Sequence, residues 1–163
     1  MNDSPPTADD PPAHPPTDVD ERTGQGLVNA SFAGTGALVV AGLAGVLAPD
    51  DLGELTAVVS GLLFVVGVVA FLYGYAAGVV RSKDEQVSLG GLFFLSGTAP
   101  RVVRFRLRIA FAVQIVVAVA AASIRPYTAV AFAVLAPMLG LGLMSTWGAK
   151  HGVFPPKEPG SRR

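Results

Sequence analysis

The chain has 163 residues, of which 51% are apolar and only 15% are charged, and it contains no cysteine. A soluble domain carries about 25% charged residues, so the low charge and the long uncharged blocks between charged segments indicate a membrane protein. The lack of cysteine excludes a disulfide framework, a thiolate nucleophile and a Cys-ligated metal. Twelve basic and twelve acidic residues give a formal net charge of zero, but the two signs lie in different parts of the chain.

The N-terminal segment is acidic and rich in proline, with the sequence MNDSPPTADDPPAHPPTDVDER. It holds almost no large apolar side chain, so it cannot bury enough surface to offset the entropy of ordering. It also lacks the basic start and the apolar centre of a secretory signal peptide. We therefore predict a disordered tail over residues 1–26.

Four apolar blocks follow, at about 29–48, 55–80, 107–124 and 127–147. A helix of about 20 residues is about 30 Å long and crosses a bilayer, and helix is the only structure in which a single span satisfies its own backbone in lipid. The alternative, four buried helices of a soluble protein, is disfavoured by the length of the uncharged runs. The sequence predicts an all-α, polytopic membrane domain over 27–148, with four transmembrane helices in two hairpins.

Prolines and charges mark the boundaries of these spans. Pro49 is expected to end the first helix, and PDDLGE (49–54) is expected to form the turn before the second. Pro137 predicts a kink inside the fourth span. The third span is short and reaches full length only if Arg106 and Arg108 extend their charged ends to the headgroups.

Lysine and arginine residues are concentrated on one side of the four spans. Eleven of the twelve lie on the side of the two termini and the central loop at 81–106, and only Arg125 lies on the other. The positive-inside rule therefore places both termini, the loop and a C-terminal tail at 149–163 in the cytoplasm. The expected location is the cell membrane, as a multi-pass protein.

The central loop ends in the basic octet RVVRFRLR, residues 101–108. Its arginines are predicted to anchor the third span and to contact anionic lipid, at about 1 kcal/mol for each basic residue near the surface. The four predicted lipid-anchoring residues are Arg101, Arg104, Arg106 and Arg108. Nucleic-acid binding is the alternative for a basic run, but a single interleaved phenylalanine and an adjoining span favour lipid.

The segment before the octet, SLGGLFFLSGTAP at 88–100, is too short to cross the membrane and too apolar for an ordinary loop. An interfacial or shallow re-entrant helix is the preferred interpretation. A loop packed on the helix ends is the alternative.

Three motifs, LFFL…GTAP, RP.T..AF and WGA.HG.FPP, lie within residues 89–156. In these motifs the chain resembles a group of small, uncharacterised actinobacterial four-pass membrane proteins. The resemblance implies the four-pass architecture and a bacterial cytoplasmic membrane. It implies no catalytic residue, because that group has no established activity.

Polar groups at membrane depth are the usual mark of membrane-embedded chemistry. The strongest here is Gln114, for which an interhelical hydrogen bond is the favoured role. Arg125 lies at the outer edge, where it can anchor the span, bind an anionic headgroup or pair with nearby acids. His14 and His151 stand alone, and one histidine beside Lys150 forms neither a metal site nor a catalytic pair. We predict no enzyme, no cofactor and no metal.

Small residues at helical spacing predict close helix packing. Ala70, Gly74 and Gly78 form such a face on the second span and contain a literal GxxxG. The face can pack inside the bundle, against a second copy or against another membrane protein.

These features favour a non-enzymatic accessory or interaction protein whose partners are the bilayer and another membrane protein or itself, and not nucleic acid. The first alternative is a small transporter or channel subunit acting as an oligomer. The second is an interfacial enzyme, which would rely on Arg125 or on Lys150 and His151.

Overall fold

The computed structural model describes residues 24–157, so residues 1–23 of the predicted tail and residues 158–163 lie outside the described residues. The described chain is helical and has no strand beyond one isolated bridge between Glu85 and Pro156. The helices are α1 (Gln25–Leu47), α2 (Pro49–Arg81), α3 (Leu89–Phe94), α4 (Arg101–Ile124) and α5 (Met138–His151), with a 3-10 helix at Ala129–Leu135 before α5.

Four segments are long and apolar enough to cross a membrane: α1, α2, α4 and the combined 3-10 helix and α5. The predicted all-α fold with four membrane spans is therefore confirmed. Residues 25 and 26 belong to α1, so the end of the predicted tail was wrong by two residues.

The connection between α1 and α2 is shorter than predicted. Only Ala48 separates the two helices, and Pro49 is the first residue of α2. Proline suits the first helical position because its fixed φ is already helical and its missing N–H would have no partner there. Asp50 and Asp51 then lie in the first turn, where the helix dipole favours acidic side chains. The predicted turn over 49–54 was wrong, since these residues are helical.

The segment between α2 and α4 is also partly helical. The predicted loop at 81–106 was too long, because α2 includes Arg81 and α4 begins at Arg101. Within 88–100, Ser88 caps the short α3 by accepting a hydrogen bond from the Gly91 amide. Residues 89–94 of this segment are helical and pack on α5, and an interfacial or re-entrant position of this helix stays a prediction.

The described residues after α5, 152–157, are not a free tail. α5 continues to His151, and the following residues cross the segment between α2 and α4. The Gln86 amide donates to the Pro155 carbonyl at 2.8 Å, and the Val153 amide donates to the Thr98 carbonyl at 3.1 Å. The described part of the predicted C-terminal tail is thus ordered against the bundle.

Side-chain packing forms two apolar clusters, one at each end of the bundle. Trp147, Met144 and Leu107 are at the centre of the cluster near the octet. Leu38, Val130 and Ala133 are at the centre of the other. Of all pairs of helices, α2 and α5 make the most extensive contact.

Candidate functional site

A polar centre lies between α1, α4 and α5, inside the apolar bundle. Gln114 of α4 is 1% exposed. Its Nε2 donates to the Thr35 hydroxyl of α1 at 2.8 Å, and its Oε1 accepts from the Gly140 amide of α5 at 3.1 Å. The Thr35 hydroxyl in turn donates to the Ser31 carbonyl at 2.8 Å. One glutamine therefore ties three helices together at membrane depth.

The Gly140 contact has a specific structural role. The fourth span changes from 3-10 to α geometry at Ala136 and Pro137, where the sequence predicts a kink, and α5 begins at Met138. The first amides of a helix lack carbonyl partners within it, and water is not present in hydrocarbon to replace them. Gln114 supplies a carbonyl oxygen to one of these amides, so it caps a helix that begins inside the membrane.

The small-residue face of α2 packs inside the chain, against α5. A Cβ added at Gly74 would lie 2.6 Å from the Ser145 carbonyl carbon and 2.7 Å from the Thr146 amide nitrogen. The Ala70 carbonyl accepts a hydrogen bond from the Thr146 hydroxyl at 2.8 Å. At the same face, Gly78 lies against Leu92, just after the start of α3. The small-residue face therefore packs inside the bundle and not against a second copy or another membrane protein.

The four arginines of the octet lie on the first two turns of α4, in two different settings. Arg108 is held by the protein, because its guanidinium donates to the Phe94 carbonyl at 2.6 and 3.0 Å and to the Ser96 hydroxyl at 3.0 Å. It therefore braces the end of α3 against α4. Together with Arg101 and Arg104 it lines an open groove of about 470 Å³ beside Phe105. Arg106 is exposed on the same stretch of helix.

Arg81 organises the same end of the bundle from the last turn of α2. Its guanidinium donates to the Ala149 carbonyl at 2.9 Å, pairs with Glu85 at 2.8 Å and lies 5.2 Å from the ring centre of Phe154. These contacts join α2, α5 and the ordered C-terminal residues.

The groups considered for interfacial chemistry are split between the two ends. The Lys150 ammonium lies 5.2 Å from the ring centre of Tyr73, and His151 lies beside Trp147 with the ring centres 5.5 Å apart. Arg125 is at the opposite end, where it donates to the Val46 carbonyl at 3.3 Å. Within residues 24–157 no three acidic or histidine side chains come together as metal ligands would.

No family model, curated protein or solved structure matches the chain. The resemblance to the actinobacterial group stays a prediction. The structure does bring together two segments that carry it, because the Leu92 and Gly91 carbonyls of the first lie beside Gly148 of the second.

Sequence reasoning found Gln114 and missed its partners. Thr35 lies in a block of small residues that predicts packing and gives no sign of a polar contact. Gly140 contributes only a backbone amide, which has no signature in a sequence. The proline at 137 was the available signal, because a broken helix needs a hydrogen-bonding partner nearby.

Proposed function

We propose that the protein is a non-enzymatic accessory or interaction protein of the bacterial cytoplasmic membrane. The observation that carries this proposal is the polar centre. Gln114 is buried, and both ends of its amide are bonded within the chain. A buried polar group bonded at both ends in this way holds helices together, which favours a structural role over substrate binding.

A partner would meet the protein on the free face of α2. This face consists of six residues spaced alternately by four and three: Gly61, Val65, Val68, Leu72, Tyr75 and Val79. Such spacing keeps one seam toward a neighbouring helix. A Cβ added at Gly61 meets no atom within 4 Å, and Leu72 is 57% exposed. A helix from another protein can therefore approach closely at Gly61.

The proposed orientation places the basic end of the bundle in the cytoplasm. At this end lie the octet, Arg81 and Lys150, whereas the other end holds Asp50, Asp51 and Arg125. The positive-inside rule supports this orientation. The arginines of the octet then lie at the leaflet surface that is rich in anionic lipid.

The test is site-specific crosslinking in native membranes, since the chain has no cysteine of its own. Single cysteines at Leu72 and Val79 would carry a photoactivated crosslinker that inserts into C–H bonds. A cysteine at Val116, which is 66% exposed on α4, is the matched control. We expect adducts with a second membrane protein from Leu72 and Val79 and none from Val116. Equal yields at all three positions would contradict a partner on the free face.

The transporter or channel alternative has one specific observation in its favour. The fourth span is interrupted at Pro137, and interrupted helices line the substrate and ion sites of many transporters. The same crosslinking distinguishes the two, because an oligomeric subunit gives an adduct of twice its own mass. A reconstituted homo-oligomer that conducts ions in liposomes would establish the alternative and exclude the accessory function.

A further inference from the structure

We infer that the protein holds an anionic phospholipid in a groove between α2 and α5, with one acyl chain along the groove and the phosphate at Lys150. This site is separate from the octet and from the free face of α2 except at Val65. The groove has a volume of about 430 Å³.

The walls of the groove are apolar. Val65, Val66 and Val69 of α2 line one side, and Leu143 of α5 lines the other. Thr146 also faces the groove, but its hydroxyl already donates to the Ala70 carbonyl. A methylene chain matches such a lining, whereas a sugar or a peptide would leave its polar groups without partners.

The length of the groove fits one leaflet. Eight residues separate Val65 from Tyr73, which is about 12 Å along a helix. The hydrocarbon of one leaflet is about 15 Å deep, half of the bilayer core. Val65 is the central residue of α2 (Pro49–Arg81), so a span centred in the bilayer places Tyr73 at the level where aromatic side chains meet the headgroups.

The headgroup end of the groove carries a positive charge that is free for a ligand. Lys150 lines this end and is exposed. Within residues 24–157 the ion pair found is Arg81 with Glu85, so the Lys150 ammonium has no acidic partner there. Its position over the Tyr73 ring holds it beside the mouth of the groove. A lipid phosphate would form an ion pair with this ammonium.

A chain of methylenes fits better than a second helix. Gly67 and Gly142 bring the backbones of α2 and α5 into contact, so the groove beside them is an open surface groove along the line where the two helices meet. A helix with its side chains is about 10 Å wide, wider than a single acyl chain, and it brings no phosphate to Lys150.

The test is native mass spectrometry of the full chain in mild detergent, with added phosphatidylglycerol or phosphatidylcholine of the same acyl chains. We expect one phosphatidylglycerol to be retained more tightly than phosphatidylcholine. Lys150→Gln should lower phosphatidylglycerol retention about fivefold, the factor expected for one basic residue at the surface, and leave phosphatidylcholine unchanged. Lys83→Gln, at the same end but outside the groove, is the control for charge.

Blocking the groove should remove both lipids. Val69→Trp places a large ring in the groove, and Val116→Trp is its control, because the two valines are 63% and 66% exposed. Retention that survives Val69→Trp, or that is the same for both lipids, would overturn the proposal. So would displacement by inorganic phosphate at equal concentration, which would indicate an anion site without an acyl chain. If Val69→Trp abolished a dimer and left lipid retention unchanged, the groove would instead bind a second copy of the chain. These outcomes concern lipid retention and do not depend on the crosslinking that tests the accessory function.

Discussion

Replacing Gln114 by leucine should destabilise the bundle by about 2–4 kcal/mol. The change preserves size but removes the hydrogen bonds to Thr35 and Gly140. The interhelical side-chain hydrogen bond to Thr35 contributes about 0.6 kcal/mol. The Gly140 amide would also lose its partner in a region without water, at about 1–3 kcal/mol for a buried unsatisfied donor. The second effect dominates, because the break in the fourth span leaves this amide dependent on Gln114.

The chain contains a single tryptophan, Trp147, which is fully buried, so its fluorescence can follow unfolding by SDS in mixed micelles. Val116→Leu, on the exposed side of the same helix, should change stability by less than about 0.5 kcal/mol. Thr35→Val in the Gln114→Leu background should cost less than it does alone, since the two residues share one hydrogen bond. If Gln114→Leu unfolds at the same SDS fraction as the native chain, the capping role is wrong.

Three further predictions follow from the packing and the charge distribution. Gly74→Ala should lower stability by about 1–3 kcal/mol in the same unfolding assay, because the added methyl meets the α5 backbone and overpacking has this cost. Gly61→Ala, which has open space around it, should leave stability unchanged. Equal effects of the two substitutions would contradict the α2–α5 contact. A cysteine at Ser88 should resist impermeant thiol reagents in intact cells while one at Tyr127 reacts, and the reverse pattern would invert the topology. Neutralising the four arginines of the octet should give a second hairpin that inserts poorly or in mixed orientation, as read by the same labelling; normal insertion would show that other charges set the topology.

The extent of the membrane domain was predictable, because uncharged blocks of span length carry a strong physical signal. The boundaries were less predictable, and Pro49 shows why. Proline is compatible both with the end of one helix and with the first position of the next. The choice depends on whether α1 and α2 can pack after a one-residue turn. Gly45 allows this, since Thr56 of α2 lies directly against it, and that long-range contact is not visible in a local pattern.

The order of the C-terminal residues was not predictable for a different reason. The segment 152–157 is held mainly by backbone hydrogen bonds, including those to Thr98 and Gln86. Backbone groups are identical at almost every position, so a sequence gives no sign of which of them will pair. The side chain that fixes the segment, Phe154, is 7% exposed but is followed by two prolines, which are typical of an irregular tail.

The interruption of the fourth span lies where the glycines of α2 contact α5, so the two features belong to one packing arrangement. A Cβ added at Gly67 would lie 2.5 Å from the carbonyl carbon of Met138, the first residue of α5. The backbones of α2 and α5 therefore meet where α5 begins. Pro137 ends the 3-10 geometry there and lets α5 take its own direction along α2, and the amide freed by the break is bonded by Gln114. A break whose amides are bonded and whose backbone is in contact with a neighbouring helix is fixed in place. This supports the proposal that the interruption has a structural role and is not a moving gate.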